Sequence, residues 1–135
     1  MAAQYYQQSA LRQYQSTGVA GVANYANPYQ LIEMLLSGAL DRIARARGHM
    51  VRNEIQPKVE AVSSAMAIVE YLRIQLDHEG GGPLANNLGR LYDYMMQRLI
   101  KANAANDPLI LDEVTGLLRD IKAAWDAIPQ NVRTR

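Results

Sequence analysis

Apolar residues in this chain recur every three or four positions, in four runs punctuated by proline and glycine, and nowhere do they alternate at every second residue. Such spacing lays one apolar stripe along a helix, whereas a half-buried strand needs alternation. The pattern therefore predicts helices and no sheet. Asn27-Pro28 reads as an N-cap followed by proline at the first helical position. Ile32, Leu35, Leu36, Ala39, Ile43 and Ala46 then mark one helix face, with Gly48 near its end. Pro57 opens a second helix whose main face carries Val62, Ala65, Val69, Leu72 and Leu76. Gly80-Gly81-Gly82-Pro83 interrupts the chain. A third helix carries Leu84, Leu88, Leu91, Tyr92, Met95 and Leu99, and runs out near residues 103–106. Asp107-Pro108 repeats the cap-plus-proline start. A fourth stripe, Ile110, Val114, Leu117, Ile121, Ala124 and Ile128, ends at Pro129.

Four helices with short connections pack most simply as an up-down bundle. The expected fold is all-α: an antiparallel four-helix bundle over residues 27–129, with a short N-terminal capping segment. Residues 1–26 form a Gln- and Ala-rich leader in which Tyr6, Ala10, Leu11 and Tyr14 permit a short amphipathic helix. Gly18 and Gly21 give it a flexible joint, and residues 130–135 form a polar tail.

At 135 residues the chain suits one domain, and its 49% apolar content suits a packed core. Its 14 basic and 13 acidic residues leave a net charge of +1, which gives no long-range attraction to nucleic acid. An arginine cluster at 42, 45, 47 and 52 is interrupted by Asp41 and Glu54 and reads as a solvated face. Cysteine is absent, so thiolate metal sites, disulfides and cysteine nucleophiles are excluded. The start of the chain lacks the pattern of a secretory signal, and no apolar run approaches the roughly 20 residues that span a bilayer. The expected address is the cytoplasm, without membrane insertion.

Catalytic and metal chemistry find no footing. A di-iron bundle needs Glu three residues before His, but Ala46 precedes His49 at that spacing and Gln75 precedes His78. Asp77-His78-Glu79 reads as a solvated helix end, since adjacent helical residues point different ways. The sequence GGGPLANNLG is neither a P-loop nor a dinucleotide fingerprint. No enzyme, metal or cofactor is expected.

The informative feature is apolar surface beyond what a simple bundle needs. Ile68, Tyr71 and Ile74 fall off the core face of the second helix, which centres on Val62 and Val69. Leu111, Leu118 and Trp125 repeat every seven residues beside the fourth stripe, and Leu31, Met34 and Leu40 stray in the first. The 8 tyrosines and 6 methionines suit a surface that is sometimes covered, and suit ordinary core filling too. The extra stripe can pack against the leader, form a groove for a partner's amphipathic helix, or broaden the helix contacts. As a groove, it is assigned to Ile68, Tyr71, Ile74, Leu91 and Tyr94, with Leu11 and Tyr14 of the leader as its cap.

The segments ANPYQLIEMLLSGAL, LDHEGGG, NNLGRLYDYM, RLIKANAANDP and EVTGLLRDIKAAW stand in this order over roughly residues 14 to 128. In order and spacing they resemble the flagellin-specific export chaperones of the flagellar type III secretion system, the FliS family. The resemblance implies a helical bundle that binds the C-terminal region of flagellin in the cytoplasm. It implies that the bundle prevents premature polymerisation and hands flagellin to components of the export gate, while the N-terminal segment rearranges. The family's N-terminal tyrosine matches Tyr14, and its tyrosine pair matches Tyr92 and Tyr94. Ser37 departs from the family's usual Asp, and Gly82-Pro83 from its frequent Gly-Glu. An alternative reading is a helix-binding adaptor or regulator of flagellar assembly.

Overall fold

The computed structural model describes residues 27–76 and 78–129. Among them are four helices and no strand: α1 (Pro28–Val51), α2 (Ile55–Ile74), α3 (His78–Ala105) and α4 (Pro108–Asp126). The leader with Leu11 and Tyr14, the tail, and the side chains of the Asp77-His78-Glu79 segment lie outside the described residues.

Local chemistry sets the helix ends. The Asn27 side chain accepts a hydrogen bond from the Gln30 amide at 2.8 Å, and the Gln30 side chain accepts one from the Asn27 amide at 3.2 Å. This reciprocal capping box satisfies donors that the first turn leaves free. Asp107 caps α4 by accepting from the Leu109 amide at 3.0 Å. α2 begins two residues before Pro57, which sits in the first turn, where an amide has no helical partner to lose. α3 begins at His78 and is broken inside the glycine run at Gly82, with φ 54° and ψ −133°. Only glycine takes that backbone conformation without strain, and Pro83 follows at once. Asn53 (φ 57°) and Asn106 (φ 52°) make the two tight turns, α1–α2 and α3–α4. Asparagine tolerates the left-handed region better than most residues.

The helices form a ring. α1 and α3 each pack against both α2 and α4. Contacts across the ring fix their directions. Trp125, late in α4, meets Tyr29 at the start of α1, while Arg47, late in α1, pairs with Asp112, early in α4, at 2.7 Å. Lys58, early in α2, donates to the Asn103 carbonyl, late in α3, at 3.0 Å. Both pairs are therefore antiparallel. The core holds Leu35, Leu36, Ile43, Ile68, Leu72, Met95, Leu99, Leu111 and Leu118, all fully buried.

The two tight turns lie side by side at one end. Asn106 donates to the Met50 carbonyl at 3.4 Å, and buried Lys58 donates to the Asn103 carbonyl in the last turn of α3, where the helix dipole favours a cation. Arg42 corrects the reading of a solvated arginine face. It is 6% exposed, and its Nε donates to Ser64 Oγ on α2 at 2.9 Å. Arg45, Arg47 and Arg52 are exposed and paired with Asp41, Asp112 and Glu54.

Tyr92 is 3% exposed, and burial pushes its phenol up to about 12. A raised folded pKa means that the native state keeps a proton which the unfolded chain releases above pH 10. This contribution is fully present below pH 10 and is lost as pH rises towards 12. It amounts to about 3 kcal/mol. Thermal melting across that window should show a steep fall in stability, and Tyr92→Phe should flatten it. An unchanged slope in Tyr92→Phe would show that other groups cause the alkaline loss.

Candidate partner-binding site

The end of the bundle opposite the tight turns is open and apolar. Beyond the break at Gly82, Leu84 is 68% exposed, and Leu88 and Leu91 are half-buried. They face the C-terminal half of α4, where Leu117, Ile121 and Trp125 are half-buried and Ala124 is exposed, and Ile128, half-buried just beyond its end. Together these residues line a groove of about 480 Å³ between α3 and α4. Among the described residues, Asp120 is the only charged one lining it. The groove shares Leu84, Leu88, Ile121 and Trp125 with a second hollow of about 400 Å³ at the end of the bundle. Tyr29 and Ile32 of α1, Leu72 of α2, Gln75 and Leu76 just beyond it, and Gly81, Ala85 and Tyr92 of α3 complete that hollow. The two are continuous and largely apolar, as a site for apolar side chains should be.

α4 shows how one stripe becomes both core and groove. Ile110 is 7% exposed, but Leu117 and Ile121 on the same face are only half-buried. The deep positions in the second half shift to Leu118. Leu111 and Leu118, read as lying beside the stripe, are core residues, whereas Ala124 and Leu84, read as core, face outward.

The five candidate groove residues do not converge. Ile68 is 0% exposed and Tyr71 8%, so both belong to the core of the bundle and not to an open surface. α2 is buried over far more of its circumference than a single stripe, so the off-face assignment of these two fails. Ile74 is half-buried in a different, polar hollow between α2 and α3, with Arg73, Asn86, Gly89, Arg90 and Asp93. Tyr94 is exposed, and its hydroxyl donates to Glu113 at 2.6 Å. Arg98 donates to the same carboxylate at 2.7 Å. The hydrogen bonds from Tyr94 and then Arg98 hold the Glu113 carboxyl below its ordinary range, and Glu113 in turn pushes the Tyr94 phenol up. This cluster staples α3 to α4 on the closed side of the groove. Only Leu91 of the five lines the apolar groove.

The residues missed as site residues are Leu84, Leu88, Leu117, Ile121 and Trp125. Their signal was present in the sequence, since apolar positions crowd both helices next to a glycine–proline break. Trp125 anchors the site. Its Nε1 donates to the Tyr29 carbonyl at 3.0 Å, and the two rings lie 5.1 Å apart at 33°. Among the described residues no helix is long and apolar enough to cross a membrane, and no group of three or more His, Asp or Glu gathers to hold a metal ion.

The family model described as flagellar protein FliS matches residues 7–132. The flagellar secretion chaperone FliSB of Pseudomonas aeruginosa is 46% identical over 91% of this chain and 98% of its own length. The flagellar secretion chaperone FliS of Salmonella typhimurium is 42% identical, over 91% of this chain and 92% of the relative. That of Vibrio cholerae is 38% identical, over 89% and 88%. Family model and relatives both cover nearly the whole bundle, and the chain belongs to the FliS family of flagellar proteins.

Proposed function

We propose that this chain is a cytoplasmic chaperone that holds the C-terminal segment of flagellin, prevents its premature polymerisation and supports its export by the flagellar type III secretion system. The observation that carries the reading is the continuous apolar groove between α3 and α4, on a chain of this family. A groove of this kind takes an amphipathic helix through anchors at i, i+3, i+4 and i+7. Covering such a segment removes from water the surface that would drive self-assembly. The leader joins the described chain at Asn27, two residues before Tyr29 at the edge of the end hollow. The leader, with Leu11 and Tyr14, is proposed to cover the groove until flagellin binds.

Calorimetry against a flagellin C-terminal peptide tests this reading. Folding a flexible segment onto apolar surface should give a strongly negative heat-capacity change, with affinity only weakly dependent on salt. The same titration on a chain lacking residues 1–16 should give a different affinity, because the covering segment is gone. No binding, or binding with steep salt dependence and no heat-capacity change, would reject the proposal.

A further inference from the structure

Trp125 is the only tryptophan of the chain, and it stands where the two apolar hollows meet. Leu84, Leu88 and Ile121 share that place. Those three are aliphatic and can exchange rotamers at small cost. Trp125 differs from them. Its Nε1 donates to the Tyr29 carbonyl at 3.0 Å, and the Tyr29 ring lies against the indole with centroids 5.1 Å apart. Turning the indole away would forfeit the hydrogen bond and the ring contact together. The anchor is itself fixed, because Tyr29 lies in the first turn of α1, inside the capping box of Asn27 and Gln30. The indole is therefore the rigid part of an otherwise adaptable wall.

We propose that Trp125, held by Tyr29, is a positioning residue at the junction of the two joined hollows and fixes the register of the bound segment. The site then takes an amphipathic helix that seats one apolar cluster on each side of the indole, in the end hollow and in the α3–α4 groove. This rests on the chaperone reading and deepens it. A wall of leucines alone would let a helix slide by a turn, since its same-face residues repeat every three or four positions. A fixed ring between two hollows penalises every register that places a side chain against it.

The test uses a flagellin C-terminal peptide and the full chain, titrated by calorimetry well below each variant's melting temperature. Trp125→Phe keeps an aromatic ring but loses the donor, and Tyr29→Leu keeps the carbonyl but loses the ring. Each should weaken binding by about tenfold. Because both break one latch, the double variant should be little weaker than either single one. Trp125 emission supplies a readout that stability alone does not move. In free Tyr29→Leu it should already be shifted to the red, as the indole swings into water. Undiminished binding by Tyr29→Leu, or fully additive losses in the double variant, would overturn the positioning role while leaving the chaperone reading intact. Failure of the unaltered chain to bind the peptide would overturn both.

Discussion

Replacing Ile68 with aspartate is expected to abolish the cooperative thermal melting of the bundle. Ile68 is 0% exposed, and it packs in one cluster with Val69 and Leu72 of its own helix and core residues of the other three. An aspartate there must either stay charged without a partner or take up a proton, and both cost free energy. With the lost apolar burial and the altered packing, the cost is about 4 kcal/mol or more. Domains of this size are stable by only about 5–15 kcal/mol, so most of the reserve disappears. Val69→Asp, also at a 0% exposed position, should behave alike. Ile68→Val leaves a much smaller void and should cost about 1 kcal/mol, with the fold retained. Circular dichroism against temperature separates these outcomes. An Ile68→Asp chain that melts like the unaltered one would mean that this side of α2 is open, as the helical-face reading had it.

The helix starts were legible because their causes are local. Asn27-Pro28 and Asp107-Pro108 carry both the capping side chain and the proline, and both caps form as expected. The core of α1 was legible because Leu35, Leu36, Ala39, Ile43 and Ala46 share one face. Arg42 could have been placed as well. It lies three residues after Ala39 and four before Ala46, which puts its side chain on the buried face whatever its charge. Treating it as one of a cluster of arginines obscured its position. α2 was harder. Val62 and Val69 define one stripe, but Ala65, Ile68 and Leu72 define a second at the same spacing, and the two overlap. Periodicity locates a face only when one face is buried, and α2 is buried on most of its circumference. In α4 the obstacle was tertiary. The stripe from Ile110 to Ile128 is continuous in sequence, yet only its first half is closed by α3. Where the covering ends depends on the break at Gly82 and on how the helices lie across each other, which no single helix encodes.

Leu84→Asp should leave the bundle folded and remove most of its affinity for the client. Leu84 is 68% exposed and immediately follows Pro83, so its apolar area is largely unburied in the free protein. Surface substitutions of this kind usually change stability by less than about 0.5 kcal/mol. An acidic residue in the first turn after the break also suits the helix dipole. Melting should therefore be unchanged or slightly improved. Binding should suffer, because Leu84 lines both the groove and the end hollow and so touches whatever fills either. Truncating a central anchor commonly costs about 2 kcal/mol, or roughly 30-fold in affinity, and a desolvated carboxylate adds to that. Leu84→Met keeps the apolar contact on a more adaptable side chain and should bind nearly normally. Ile100→Asp is the decisive control. Ile100 is 56% exposed on the same helix, sixteen residues further on, about 24 Å along its axis, and it lines neither hollow. A client held in the groove should not notice that change. Equal losses from Ile100→Asp and Leu84→Asp would mean that the proposed client senses general surface hydrophobicity or another face of the bundle. A loss confined to Leu84→Asp, with melting intact, would locate the client on the α3–α4 groove.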